Sequence, residues 1–132
     1  MSIQDRLEEA RESPFKGKTG LTRLVNAFFH SCEGLAAAWR CESAFRQEVM
    51  LAGPMIAAAF FLHVGLAERA LMIASVLMVL VVELLNSGLE AAIDHTSLDH
   101  HVFAKRAKDM GSAAVLLSLA LCVAVWAVVL LS

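Results

Sequence analysis

Glu83, Asn86 and Glu90 interrupt a hydrophobic stretch, MIASVLMVLVVELLNSGLEAAID, that runs from Met72 to Asp94. At roughly 100° per residue on a helix, Glu83, Asn86, Ser87, Glu90 and Asp94 fall on one narrow stripe. A carboxylate near the centre of a bilayer costs on the order of 2.5 to 3.5 kcal/mol even on lenient insertion scales, so acids on one face need water, a cation or a proton as partner. Glu90 and Asp94 could reach headgroups from a helix end. Glu83 lies about 15 Å further along at 1.5 Å per residue, too deep for that explanation. Two other polar groups flank apolar runs: Glu42, Arg46, Gln47 and Glu48 precede one, and Lys108 and Asp109 open another. Magnesium takes one or two carboxylates plus substrate phosphates, and a nucleotide needs cations for its phosphates. Carboxylates and a lysine at one membrane face therefore suit phosphoryl transfer. A small proton-coupled transporter also buries glutamates, and spacing alone leaves that alternative open. Plainer roles stay open too: Glu42 and Arg46 form an i, i+4 pair that could stabilise a surface helix, and Lys108 could snorkel to the interface.

These residues must be positioned by helices in a membrane. Hydrophobic residues make up 58% of the 132, more than the roughly 45 to 50% of ordinary soluble domains. Three apolar runs account for the excess, Val49 to Ala67, Ala70 to Ile93 and Met110 to Leu131. Each is near the roughly 20 residues that a helix needs to cross about 30 Å of hydrocarbon. Of the 11 basic residues, seven precede the first run (Arg6, Arg11, Lys16, Lys18, Arg23, Arg40 and Arg46), Arg69 alone separates the first two, and Lys105, Arg106 and Lys108 lie between the second and third. The positive-inside rule places the N-terminus and the 94–109 segment in the cytoplasm and the C-terminus outside. The net charge of −2 carries no basic patch of the kind nucleic acid requires.

Before the first run, Leu21, Leu24, Val25, Phe28, Phe29, Cys32, Leu35, Ala36 and Trp39 recur at i, i+3, i+4, i+7, the period of an amphipathic helix. Ahead of a membrane span such a helix lies in the interface, with Trp39 at headgroup depth. The fold class is therefore an all-α membrane protein: a polar extension over residues 1–20, then one domain over 21–132 with a surface helix at about 21–48 and spans at about 49–67, 70–93 and 110–131. His95 to His101, HTSLDHH, breaks the helical pattern. Gly111, Ser112, Ala113 and Ala114 let neighbouring helices approach closely. Cys32, Cys41 and Cys122 lack metal-ligand spacing and are read as free thiols.

GLAAAWRCESAFRQE (Gly34 to Glu48), VVELLNSGLEAAID (Val81 to Asp94) and RAKDMGSAAVL (Arg106 to Leu116) together resemble the bacterial diacylglycerol kinase family of small integral membrane kinases. The likeness runs from about Gly20 to the C-terminus and leans towards the diacylglycerol kinases of Gram-negative bacteria rather than the sibling undecaprenol kinases. It implies a homotrimer in the bacterial inner (cytoplasmic) membrane with active sites between subunits, in which ATP, with Mg2+, phosphorylates diacylglycerol to phosphatidic acid. By motif, Glu83 would be the general base and Glu42 and Glu90 would hold the metal on the nucleotide. Arg23, His30, Asp99, His100, His101, Lys108 and Asp109 would contact the nucleotide along with Glu42 and Glu90. Arg23, Ala44, Phe45, Arg46, Gln47, Glu48, Glu83, Ser112 and Trp126 would line the lipid site. Glu33 and Ala36 depart from the family pattern, in which basic residues are common there, as does His30, where an aromatic is common. Desolvation makes a carboxylate a better base for an alcohol, which suits the deep position of Glu83.

Overall fold

The computed structural model describes residues 2–6, 20–96 and 101–132, and every element among them is helical. Residues 3–6 form a single turn closed by reciprocal bonds, Ser2 N to Asp5 Oδ2 at 2.7 Å and Asp5 N to Ser2 Oγ at 3.1 Å, the arrangement of a capping box. Four helices follow: α1 (Gly20–Cys41), α2 (Ser43–Phe61), α3 (Leu66–Thr96) and α4 (Val102–Leu131). The chain divides into two compact units, Met1–Ala36 and Ala37–Ser132.

In the first unit, α1 carries the amphipathic series, and Leu21, Leu24, Phe28 and Phe29 are all exposed. The second unit is built around α3, which packs against both α2 and α4. Its core is Ala52 of α2, Val76 and Val79 of α3 and Cys122 of α4, with Met55, Ile56, Leu80 and Trp126 around it. Small residues dominate the tightest contacts: Ala59 is fully buried, and Ser75, Gly111 and Ser118 are buried in the seams. Without water to drive apolar residues together, close backbone approach is how membrane helices gain packing energy.

Helix boundaries differ from those read in the sequence. The surface helix does not continue to residue 48 but ends at Cys41, where Glu42 turns to extended backbone (φ −115°, ψ 106°) before α2 begins. Arg46 stabilises that break by donating Nη1 to the carbonyls of Trp39 (2.7 Å) and Arg40 (3.1 Å), which the end of a helix leaves without partners. The α2 helix closes at Phe61 rather than 67. Arg69 bridges the turn, donating to Ala59 O at 2.9 Å and Leu62 O at 3.1 Å, while Glu68 accepts from Gly65 N at 3.1 Å. The third and fourth helices extend past the expected spans, and both are long and apolar enough to cross a membrane. At 1.5 Å per residue the 31 residues of α3 extend about 46 Å, more than the roughly 30 Å of a hydrocarbon core.

Candidate functional site

α3 and α4 run antiparallel, and their contacts form a ladder: Asp94 with Lys108, Asn86 with Gly111, Ser75 with Cys122, and Met72 with Trp126. The acidic stripe of α3 lies towards the end of that ladder formed by the C-terminal part of α3 and the start of α4. Burial along it is graded as the spacing predicts: Glu83 is 6% exposed, Asn86, Ser87 and Glu90 are half-buried, and Asp94 is exposed.

Glu83 accepts no hydrogen bond among the described residues, yet the charges of Glu42, Glu48 and Glu90 act on it. Carboxylates from two helices and the break before α2 thus act on Glu83 through their charges, and none of the four forms an ion pair among the described residues. Glu42 occupies the N-cap of α2 without a side-chain cap bond, so its carboxylate is not engaged by its own helix. The alternative left open for it, a surface pair with Arg46, is not formed: the chain breaks at 42 and Arg46 turns back to carbonyls. Glu48 is half-buried, and its Oε2 is shielded from solvent with no partner. Beside it opens a recess of about 80 Å3, lined by Leu51, Met55, Val76, Val79 and Leu119 among others.

Asn86, one turn from Glu83, keeps its Oδ1 buried and without a partner. It can lie there because residue 111 is glycine: a Cβ on Gly111 would overlap Asn86 Oδ1 and stand 3.4 Å from Leu89. Reading the sequence placed Asn86 on the stripe without giving it a role. The pairing of a polar residue on α3 with a glycine at the matching level of α4 was the signal available.

Lys108 Nζ binds Asp94 Oδ1 at 2.5 Å, and Lys105 Nζ binds Asp109 Oδ2 at 2.6 Å. The Lys108 charge also reaches Glu90, which makes it the cation of this cluster. Both ion pairs are exposed, and pairs of that kind contribute about 0 to 1 kcal/mol, so phosphate oxygens can displace the aspartates. His101 caps α4, its Nδ1 accepting from Phe103 N at 3.2 Å. Asp99 and His100 lie outside the described residues. Arg23 and His30 lie in the first unit, where His30 Nδ1 is 3.6 Å from Glu33 Oε2.

Of the residues expected to line a lipid site, Phe45 is buried, Arg46 and Glu48 are half-buried, and Ala44, Gln47 and Ser112 are exposed. Trp126 does not join them within the chain. Its Nε1 donates to Met72 O at 3.2 Å, eleven residues along α3 from Glu83, or about 16 Å at 1.5 Å per residue. Among the described residues no group of three or more His, Cys, Asp or Glu side chains is disposed to hold a metal alone. The three thiols are free, as expected, with Cys122 buried.

A buried carboxylate on which other carboxylates act, with a lysine at the same end of the bundle, suits a cation shared with a phosphate ligand rather than one held by the protein alone. Comparison with known proteins identifies the context. The family model for prokaryotic diacylglycerol kinase matches residues 29–130. The chain belongs to that family. A diacylglycerol kinase of Pseudomonas aeruginosa is 53% identical over 119 residues, covering 90% of this chain and 97% of the relative. One from Escherichia coli (strain K12) is 44% identical over 114 residues, 86% of this chain and 93% of the relative. One from Helicobacter pylori is 45% identical over 115 residues, 87% and 89% respectively. The family match takes in Glu42, Glu48, Glu83, Asn86, Glu90, Lys108 and Asp109, and leaves Arg23 outside it.

Proposed function

We propose that this chain is a diacylglycerol kinase that transfers the γ-phosphoryl group of ATP to the free hydroxyl of diacylglycerol, giving phosphatidic acid. The observation that carries the reading is the 6% exposure of Glu83 among Glu42, Glu48 and Glu90, in a chain whose relatives at 44 to 53% identity are diacylglycerol kinases. Glu83 accepts the hydroxyl proton as the new O–P bond forms and the bond from the γ-phosphorus to the bridging oxygen of ADP breaks. Glu48 and the segment from Ala44 to Gln47 line the approach of the lipid headgroup. Lys108 and Asp109, with Arg23, His30, Asp99, His100 and His101, contact the nucleotide.

The donor chemistry fits magnesium held jointly with a nucleotide. Glu42 and Glu90 supply two carboxylates without ion-pair partners, and Mg2+ is ordinarily held by one or two carboxylates with phosphates and water completing the shell. When bound, the ion supplies neutralisation of phosphate charge.

A homotrimer with sites between subunits accounts for two further features. One chain of this size does not enclose nucleotide, metal and lipid, and Trp126 stands apart from Glu83 in a single chain, so a neighbour brings it to the lipid. α2, 19 residues long and about 28 Å at 1.5 Å per residue, is the third span. The chain resides in the bacterial inner membrane as residues 1–20 followed by one kinase domain, with the N-terminus and the 94–109 segment cytoplasmic and the C-terminus periplasmic.

The test is ATP consumption by the purified protein in micelles, with and without diacylglycerol and at varied magnesium. Magnesium-dependent turnover that needs the lipid is the expected result. Equal or faster turnover on undecaprenol would reassign the substrate to the polyprenol class.

A further inference from the structure

The head of α4 carries three cations in four residues, and they are not equivalent. Lys105 and Lys108 are each held by an aspartate. Arg106 has no ion pair among the described residues; its guanidinium lies over the ring of Phe103, 5.4 Å from the centroid. His101 also stacks on that ring, at 5.2 Å between centroids and an interplanar angle of 28°. Phe103 is nevertheless 65% exposed.

Helical geometry gives this pair a direction and a depth. At 100° per residue, Phe103, Arg106, Met110, Leu117, Leu121 and Val128 lie within roughly 60° of one another, and all are exposed. Gly111, Ser118 and Cys122, which are buried, occupy a different side of α4. The apolar run from Met110 to Leu131 is about 33 Å long and matches a hydrocarbon core of about 30 Å. Arg106 therefore stands one turn, about 6 Å, beyond the hydrocarbon edge on the outward side, at the depth of lipid phosphates.

We propose that Arg106 and Phe103 form a docking point for the phosphate of an anionic phospholipid of the surrounding bilayer. The planar guanidinium presents paired N–H donors that match a phosphate's oxygens, and the ring beneath it fixes its plane while offering an apolar surface to the glycerol and first methylenes. The strip from Met110 to Val128 continues the contact along an acyl chain. Charge complementarity selects the occupant: a zwitterionic headgroup brings its own cation to the phosphate, and an anionic one does not.

The experiment titrates the full chain, in detergent micelles, with phosphatidylglycerol and separately with phosphatidylcholine, and counts bound lipids by native mass spectrometry. Wild type should bind phosphatidylglycerol more tightly. Arg106→Gln should weaken that binding about five-fold, the factor for one basic residue at an anionic surface, with phosphatidylcholine binding, helix content and subunit number unchanged. Phe103→Ala should weaken it less. Phosphatidylglycerol binding undiminished in Arg106→Gln would overturn the proposal. So would competition between ATP and phosphatidylglycerol that depends on Arg106, which would give the arginine to the nucleotide, and so would a change of subunit number, which would seat a second copy on this face.

Discussion

Replacing Glu83 with glutamine tests the proposed chemistry most directly. The side chain is 6% exposed and accepts no hydrogen bond among the described residues, so its carboxylate holds no helix in place. Three other carboxylates act on it, and removing its charge relieves repulsion rather than breaking an attraction. An amide is also cheaper to bury than a carboxylate. Thermal unfolding of Glu83→Gln should therefore occur at or slightly above the wild-type temperature, and the oligomer should persist. Turnover is a different matter, because glutamine keeps the shape of the side chain and cannot accept a proton. A positioned general base contributes roughly 10² to 10⁴, and kcat should fall by that factor. The assay couples ADP release to a dehydrogenase in mixed micelles at saturating diacylglycerol, with nucleotide affinity measured separately by calorimetry and expected to change little. Near-normal kcat in Glu83→Gln would refute the assignment of the base and return the buried acid to a structural role. A loss of nucleotide binding equal to the loss of turnover would refute the separation of Glu83 from the metal and phosphate groups.

Glu42→Gln and Glu90→Gln each remove one negative charge from the proposed metal site, which has few protein ligands, so the magnesium concentration for half-maximal activity should rise in either variant; unchanged requirements in both would remove these residues from that site. Gly111→Ala places a Cβ on Asn86 Oδ1, and small-to-large changes at such a contact typically cost about 1 to 3 kcal/mol; unfolding should shift down accordingly, and Asn86→Ala in the same background should recover part of that loss.

The buried face of Glu83 was legible from helical spacing, because a 3.6-residue period fixes which side of a helix a residue takes, and Glu83 is 6% exposed. The break at Glu42 was not. GLAAAWRCESAFRQE contains no proline and no glycine after Gly34, so its local pattern continues through position 42. What ends the helix is Arg46 reaching back to Trp39 O and Arg40 O, a contact that exists only once the chain has turned. The partner of Lys108 was hidden for a similar reason. Asp109 is its neighbour and Lys105 its helical companion, but the bond goes to Asp94, fourteen residues away, and the register of α3 against α4 decides that.

The same register explains where unsatisfied polar groups gather. Away from the stripe, polar side chains within the bundle are paired: Arg69 on two carbonyls, Ser75 on Met72 O, Ser118 on Val115 O and Trp126 on Met72 O. At the opposite end of α3, Glu48 Oε2 and Asn86 Oδ1 are buried without partners, and Glu83 is buried among like charges. A buried polar atom left unpaired costs about 1 to 3 kcal/mol, so a chain that satisfies such groups elsewhere has no stability reason to leave two of them beside a buried carboxylate. They are spaced within one turn along α3 or face it from α2, which is the arrangement that a ligand bearing both donors and positive charge would complete. On the proposed reading, a lipid hydroxyl and a magnesium-bound nucleotide would meet that description together, and the gathering of unpaired groups at one end of the bundle is what separates it from the paired polar contacts that only hold helices to each other.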